Sequence, residues 1–192
     1  MNSVSHGLDI PNWNVNMPTG HKYARIERER RFLVRRFPER QLILGVRRIM
    51  DRYIEGTNLR LREQNEEGQP TVFKLTQKIP SVSSGAQQGF VTTMYLDRDT
   101  HRLLSQLPGH MLSKVRYSVP PFGIDVFEGA LVGLILAEAE FDSAFAADAL
   151  TIPDFPMREV SHDDRFTGGR LARAARGELR TWLSEYGIEI GD

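Results

Sequence analysis

The chain has no cysteine among its 192 residues. Disulfide staples and thiolate metal centres are thereby excluded. Any metal would be held by carboxylates or histidines, and oxygen ligands favour hard ions such as Mg²⁺ or Mn²⁺. Net charge is missing too, because 25 basic residues balance 25 acidic ones. Without a basic surplus the chain is no general nucleic-acid coat. No apolar run approaches the length that spans a bilayer. The first twenty residues, with Asp9, Asn12, Asn14 and two prolines, hold no apolar segment of a secretory signal. The expected compartment is the cytoplasm. The expected partner is a small molecule rather than nucleic acid or membrane, bound by a monomer or a homodimer.

What is present suits one domain with a sizeable core. Hydrophobic residues make up 40% and charged residues 26% of the chain, which excludes global disorder. Residues 1–22 are polar, aperiodic and rich in Asn, Gly and Pro, and read as a flexible arm preceding a domain over 23–192. From Ala24 the pattern turns to period two. Eight strands are expected, over 24–34, 46–55, 57–64, 71–78, 88–96, 112–118, 122–127 and 133–141. Turn signals separate most of them, among them Glu55-Gly56-Thr57-Asn58, Glu67-Gly68-Gln69-Pro70 and Pro120-Pro121. Helical spacing predicts a short helix from Pro38 to Leu44 and another from Asp97 to Leu107. A longer one is predicted over 170–186, with an apolar stripe of Leu171, Ala174, Ala175, Leu179, Trp182, Leu183 and Tyr186. Thr167 would cap it and Gly187 would stop it. The fold class is therefore mainly β (α+β): an antiparallel sheet or barrel with flanking helices and a C-terminal helix.

Several strands alternate charge with apolar residues rather than neutral polar ones. Glu27, Glu29 and Arg31 share one strand face, with successive same-face residues roughly 6.6–6.8 Å apart. Two carboxylates at that spacing can converge on one ion or hold two side by side. Glu138 and Glu140 form a second such pair at the end of the apolar run Gly133 to Ala137. Carboxylates that continue a buried face need a metal or a basic partner. Arg60 with Arg62, Lys74 with Lys78, and Lys114 with Arg116 repeat the geometry with cations. Each alone reads most simply as a solvated face. Closed into an eight-stranded barrel, whose interior holds one small ligand, they become a site. Charged rows facing inward would offer carboxylates to a metal and cations to a small polyanion such as a triphosphate, with outer cover from helices such as 97–107. Pattern alone leaves the opposite orientation open. His162 beside Asp163 and Asp164 reads as a polar turn, and Gly168-Gly169 as a flexible lead into the last helix.

These motifs resemble the CYTH domain, or triphosphate tunnel metalloenzyme family. Its E-x-E-x-K signature is matched by Glu27, Glu29 and Arg31, and its paired arginines by Arg60 and Arg62. Its L-T-x-K stretch is matched by Leu75-Thr76-Gln77-Lys78, and its K-x-R-Y stretch by Lys114-Val115-Arg116-Tyr117. The run from Ile124-Asp125-Val126-Phe127-Glu128-Gly129 to Gly133-Leu134 is similar to a further family stretch, as is Ala137-Glu138-Ala139-Glu140. An E-V-T-x-D-x-R-Y turn is echoed by Glu159-Val160-Ser161-His162-Asp163-Asp164-Arg165-Phe166. The matches run in family order from about residue 24 to 175.

The resemblance implies an eight-stranded antiparallel tunnel that binds a triphosphate with Mg²⁺ or Mn²⁺, two ions to a site. It makes Glu27, Glu29, Glu138 and Glu140 the metal ligands, with Asp125 a further candidate. Arg60, Arg62, Lys78, Lys114 and Arg116 would hold phosphate, with Lys74 beside Lys78. Glu27, Glu29, Arg31, Glu138 and Glu140 would form the catalytic group. Arg31 stands where the family usually has lysine, which changes reach and hydrogen-bond geometry. The stretch Gly89-Phe90-Val91-Thr92-Thr93-Met94-Tyr95-Leu96 carries no charge where members often place an Arg and one or two Glu. The leading expectation is hydrolysis of inorganic tripolyphosphate or an organic triphosphate by a divalent-metal-dependent enzyme. The alternatives are an adenylate cyclase of the same family and a module that binds polyphosphate or nucleotide without turnover.

Overall fold

The computed structural model describes residues 22–37, 39, 42–81, 85–152 and 156–191. The alternating stretches form β1 (Arg25–Val34), β2 (Gly45–Ile54), β3 (Leu59–Glu66), β4 (Val72–Ser81) and β5 (Gly85–Leu96). β6 (Gly109–Val119), β7 (Phe122–Phe127) and β8 (Ile135–Glu140) follow. They hydrogen-bond in the order β5-β4-β3-β2-β6-β7-β8-β1, and β1 returns to β5, so the sheet closes on itself. Each of these pairings is antiparallel. The eight expected strands are all present, with ends displaced by no more than three residues, as at Gly85 and Gly109. The barrel is the expected one.

A ninth strand, β9 (Met157–Glu159), was not anticipated. It pairs with the second half of β1, where Phe32 faces Glu159. Three residues are too few to show a period. Arg30 secures the addition: its guanidinium donates to both Glu159 oxygens at 2.9 and 2.7 Å and to the Ala147 carbonyl at 3.0 Å. Ala147 lies in α2 (Ala144–Asp148), another short element the sequence did not disclose. The arm over 1–22 lies outside the described residues except at Lys22, and so do Pro38, Arg40 and Gln41 of the predicted helix from Pro38 to Leu44.

Two apolar clusters fix which way the strands face. Phe32, Val34, Phe122, Ile124, Ala137 and Ala139 lie on the outer face of β1, β7 and β8, under cover from Phe37, Leu150 and Met157. Leu33, Leu112, Phe127 and Leu136 have the opposite parity and point inward, at one end of the barrel only. There they meet Val160, Phe166, Leu171, Leu179, Trp182 and Leu183 from the C-terminal segment. One end of the lumen is therefore stoppered by apolar side chains.

The stopper is not the single helix expected over 170–186. The chain forms α3 (Gly168–Leu171) and α4 (Arg176–Ser184), with Ala175 extended at φ −78° and ψ 154° between them. The Ala175 amide donates to the Glu178 carboxylate at 2.8 Å, restarting the helix with its own cap. The break lets Leu171 and the Leu179/Trp182/Leu183 face enter one cluster from two directions, which a continuous helix would not allow. Gly168 is needed at this junction, because a Cβ there would lie 2.0 Å from the Tyr53 hydroxyl.

The helix expected from 97 to 107 is α1 (Arg98–Leu104), capped by Asp97, which accepts from the Thr100 amide at 2.7 Å. Leu103 is off its packing face, being 66% exposed, while Leu104 is half-buried. Contact with the barrel comes instead from His101, whose ring lies 4.6 Å from that of Phe73.

Candidate functional site

Because the apolar rows of β1, β7 and β8 face outward, the charged rows line the lumen. Exposure falls from the open mouth toward the stopper. Glu140 is at the mouth with its side chain 56% exposed, near Arg25 at 4.0 Å. Deeper in, Asp51 and Asp125 are fully buried, and Arg31 and Lys114 nearly so. Of the predicted residues, the lumen brings together Glu27, Glu29, Arg31, Lys78, Lys114, Arg116, Asp125 and Glu138 on one side. Arg60, Arg62 and Lys74 lie on the other.

Most of the predicted carboxylates are paired with cations. Lys78 Nζ donates to Glu27 at 2.7 Å. Arg116 lies opposite Asp125 in register and donates to both of its oxygens at 2.6 Å, while Lys114 Nζ reaches the same carboxylate at 2.5 Å. Arg116 also donates to Glu138. Burial pushes Glu138 up, but Lys114, Arg116, Lys78 and Arg31 outweigh it and hold the carboxyl well below its usual range. Glu29 behaves oppositely. Burial, reinforced by the nearby Glu138, pushes it up to about 7 against the pull of Lys78 and Arg31.

Arg31 lies opposite Glu138, and its guanidinium donates to the Ser161 carbonyl at 3.1 Å and to the Phe166 carbonyl at 3.4 Å. Its Nε lies 3.4 Å from Glu29. Arg31 thus ties the ionised wall to the stopper through two backbone carbonyls.

The room for Arg116 comes from Gly123, the inward residue of β7 opposite Glu138. A Cβ at Gly123 would stand 3.2 Å from the Arg116 side chain. Gly123→Val is expected to dislodge the guanidinium from Asp125 and Glu138 and to cost about 3 kcal/mol or more of stability, because a buried ion pair loses one partner. Urea unfolding checks this.

The opposite wall has its own carboxylate, which sequence reasoning missed. Asp51 on β2 sits directly across from Arg62, whose Nε and Nη2 each donate to it at 2.7 Å. Arg60 Nε lies 3.8 Å from the same carboxylate. Burial alone would raise Asp51, but Arg62 and Arg60 bring it down to about 2. The only available signal was that Arg47, Ile49, Asp51 and Tyr53 alternate along β2; the pairing with Arg62 depends on register, which one sequence does not display. Arg47, also unanticipated, donates to Glu66 at 2.8 Å nearer the mouth.

The depressed Asp51 value links folding to pH. Its ionised form is favoured in the native state, so its contribution is complete above the ordinary value of 3.8 and disappears as pH falls toward 2. About 2 kcal/mol of stability is expected to be lost across that window relative to Asp51→Asn, whose stability lacks this component. Urea unfolding of both proteins between those pH values measures it.

Lys74 has the Tyr95 ring 5.3 Å from its Nζ. Burial and the charges of Arg62, Arg60, Arg47 and Arg25 lower its pKa. Lys74 thus stands within reach of the charge of four arginines. Facing Lys74, Thr76 and Lys78, the inward residues of β5 are Tyr95, Thr93 and Val91, all uncharged.

Among the described residues no three His, Asp or Glu side chains are already gathered closely enough to hold a metal ion. The donor set nonetheless fits a hard divalent ion. Its groups are carboxylates, and the repulsion that raises buried Glu29 beside Glu138 is what a cation between them would relieve. No helix among the described residues is long and apolar enough to cross a membrane.

Fold and lumen together define a closed antiparallel barrel, stoppered at one end, with an ionised interior. No family model matches the sequence. An inorganic triphosphatase of Nitrosomonas europaea is 32% identical over 154 residues, covering 76% of this chain and 96% of that protein. The chain belongs to the family of that inorganic triphosphatase. The crystal structure of the inorganic triphosphatase NE1496 superposes with a TM-score of 0.50 at 28% identity, over 77% of this chain and 95% of that one. A second structure, of the hypothetical protein NE1496, gives 0.51 at 28% identity over 78% and 99%.

Proposed function

We propose that this chain hydrolyses a triphosphate inside a CYTH-type lumen with Mg²⁺ or Mn²⁺, and that inorganic tripolyphosphate is its simplest substrate. The observation that carries the reading is the division of the lumen. Carboxylates concentrate on β1, β7 and β8, and cations without an equal number of acids on β3 and β4. Divalent ions held by Glu27, Glu29, Glu138 and Glu140 would supply charge neutralisation at phosphate oxygens and an acidified water. Asp125, with its oxygens already committed to Lys114 and Arg116, would orient those cations. Arg60, Arg62 and Lys74 would hold the far phosphates, and Lys78, Lys114 and Arg116 would face the charge that spreads over the transferred phosphoryl group. Arg31, gripped by backbone carbonyls, would fix Glu29 rather than move with the substrate.

A second reading is favoured by one observation. The neutral inner face of β5 removes charge that could orient a substrate for attack, and a lumen of this kind would bind polyphosphate without cleaving it. The experiment is a panel of tripolyphosphate and nucleoside triphosphates with Mg²⁺, Mn²⁺ and Ca²⁺, scoring released phosphate and cyclic nucleotide. Metal-dependent phosphate release supports hydrolysis. Cyclic nucleotide would assign a cyclase, and tight binding with no product would assign the module.

A further inference from the structure

We infer that Asp51 is a positioning residue for the phosphate-holding wall, setting the guanidinium of Arg62, and beside it Arg60, in the orientation that receives a polyphosphate. This rests on the proposed function only in taking the ligand to be a polyphosphate.

Asp51 is 0% exposed and lies on the inner face of β2, level with Arg62 across the strand pair. It occupies the Nε and Nη2 edge of that fork with two bonds of 2.7 Å. The Nη1 side of the same planar group is left as the edge to meet a phosphate. A guanidinium held by one edge is rigid, so its other donors are aimed before the ligand arrives. The same carboxylate lies 3.8 Å from Arg60 Nε and feels the charge of Lys114. Arg60 and Arg62 therefore converge on a single acid. Without it they would repel one another and turn toward solvent or toward Glu27, Glu29 and Glu138, collapsing the separation between the two walls. Asp51 touches no reacting atom in this arrangement. Its effect reaches the ligand through Arg62.

A buried ion pair of this kind has a simpler interpretation as a brace for the barrel. The two roles separate in a double-mutant cycle read by calorimetric binding of tripolyphosphate, with thermal unfolding recorded alongside. Asp51→Asn is expected to weaken binding about tenfold and to raise KM more than it lowers kcat. In an Arg62→Gln background the same change is expected to alter affinity less than about twofold, because the group it acts through has gone. Asp51→Glu, which keeps the charge, is expected to recover part of the loss. Arg62→Gln with Asp51→Asn removes both charges together, so the cycle has a folded reference even where Asp51→Asn alone unfolds. In that event Asp51→Glu, with its displaced carboxylate, carries the comparison and should bind more weakly than the wild type. Affinity unchanged in Asp51→Asn, or equal losses in both backgrounds, overturns the inference and leaves a brace. Binding without turnover in the wild type would remove the hydrolase reading while leaving this one standing, and a wild type that binds no tripolyphosphate would overturn both.

Discussion

Glu138→Gln is expected to lower kcat/KM for tripolyphosphate by about 10²- to 10³-fold while leaving the barrel folded. The substitution keeps the shape of the side chain and its ability to accept from Arg116, which remains doubly bonded to Asp125. What it removes is charge, at the place where Glu138 acts on nearby Glu29 and where four cations act on it. A carboxylate that supports metal is lost, and Arg116 gains an unbalanced charge beside the ligand. The comparison is Glu128→Ala. That glutamate accepts from the Ser113 hydroxyl at 2.5 Å and lies 3.5 Å from Arg48, on the outer side of the barrel. Steady-state phosphate release from the two variants should differ by orders of magnitude at similar Tm. Near-native turnover in Glu138→Gln would remove the carboxylate wall from the mechanism.

Leu179→Ala is expected to cost about 2–5 kcal/mol of stability, measured by urea unfolding. Leu179 is fully buried in the cluster that joins α4 to the inward leucines of β1, β6 and β8. The cavity would sit between stopper and lumen, where neither can collapse without moving the other. Arg31 makes the effect functional as well, because its guanidinium is held by the Ser161 and Phe166 carbonyls on the stopper side. A loosened stopper is expected to release Arg31 and to make activity fall several degrees below global unfolding. Parallel measurements of phosphate release and near-UV circular dichroism against temperature would separate the two midpoints.

The barrel and most of its lumen were legible because both are written in period two. Glu27, Glu29 and Arg31, or Lys114 and Arg116, announce a charged face by spacing alone, and closure assigned that face to the interior. Three things were not legible, each for a physical reason. The break between α3 and α4 leaves the apolar stripe of 170–186 intact, so periodicity could not reveal it; only the need to pack from two directions does. β9 is shorter than one alternation. The Asp51–Arg62 pair is created by the register of two strands, a property of pairing rather than of either strand. The same holds for Asp125, which the resemblance placed among candidate ligands and whose commitment to Lys114 and Arg116 appears only when β6 and β7 are aligned.

The apolar stopper has a consequence for traffic. With one end closed among the described residues, a bound polyanion would enter and leave by the other. An anion leaving the floor passes Lys74 and its neighbouring arginines again on the way out. Release would then be slowed by the same field that hastens arrival, and salt, which screens both, should speed the one as it slows the other.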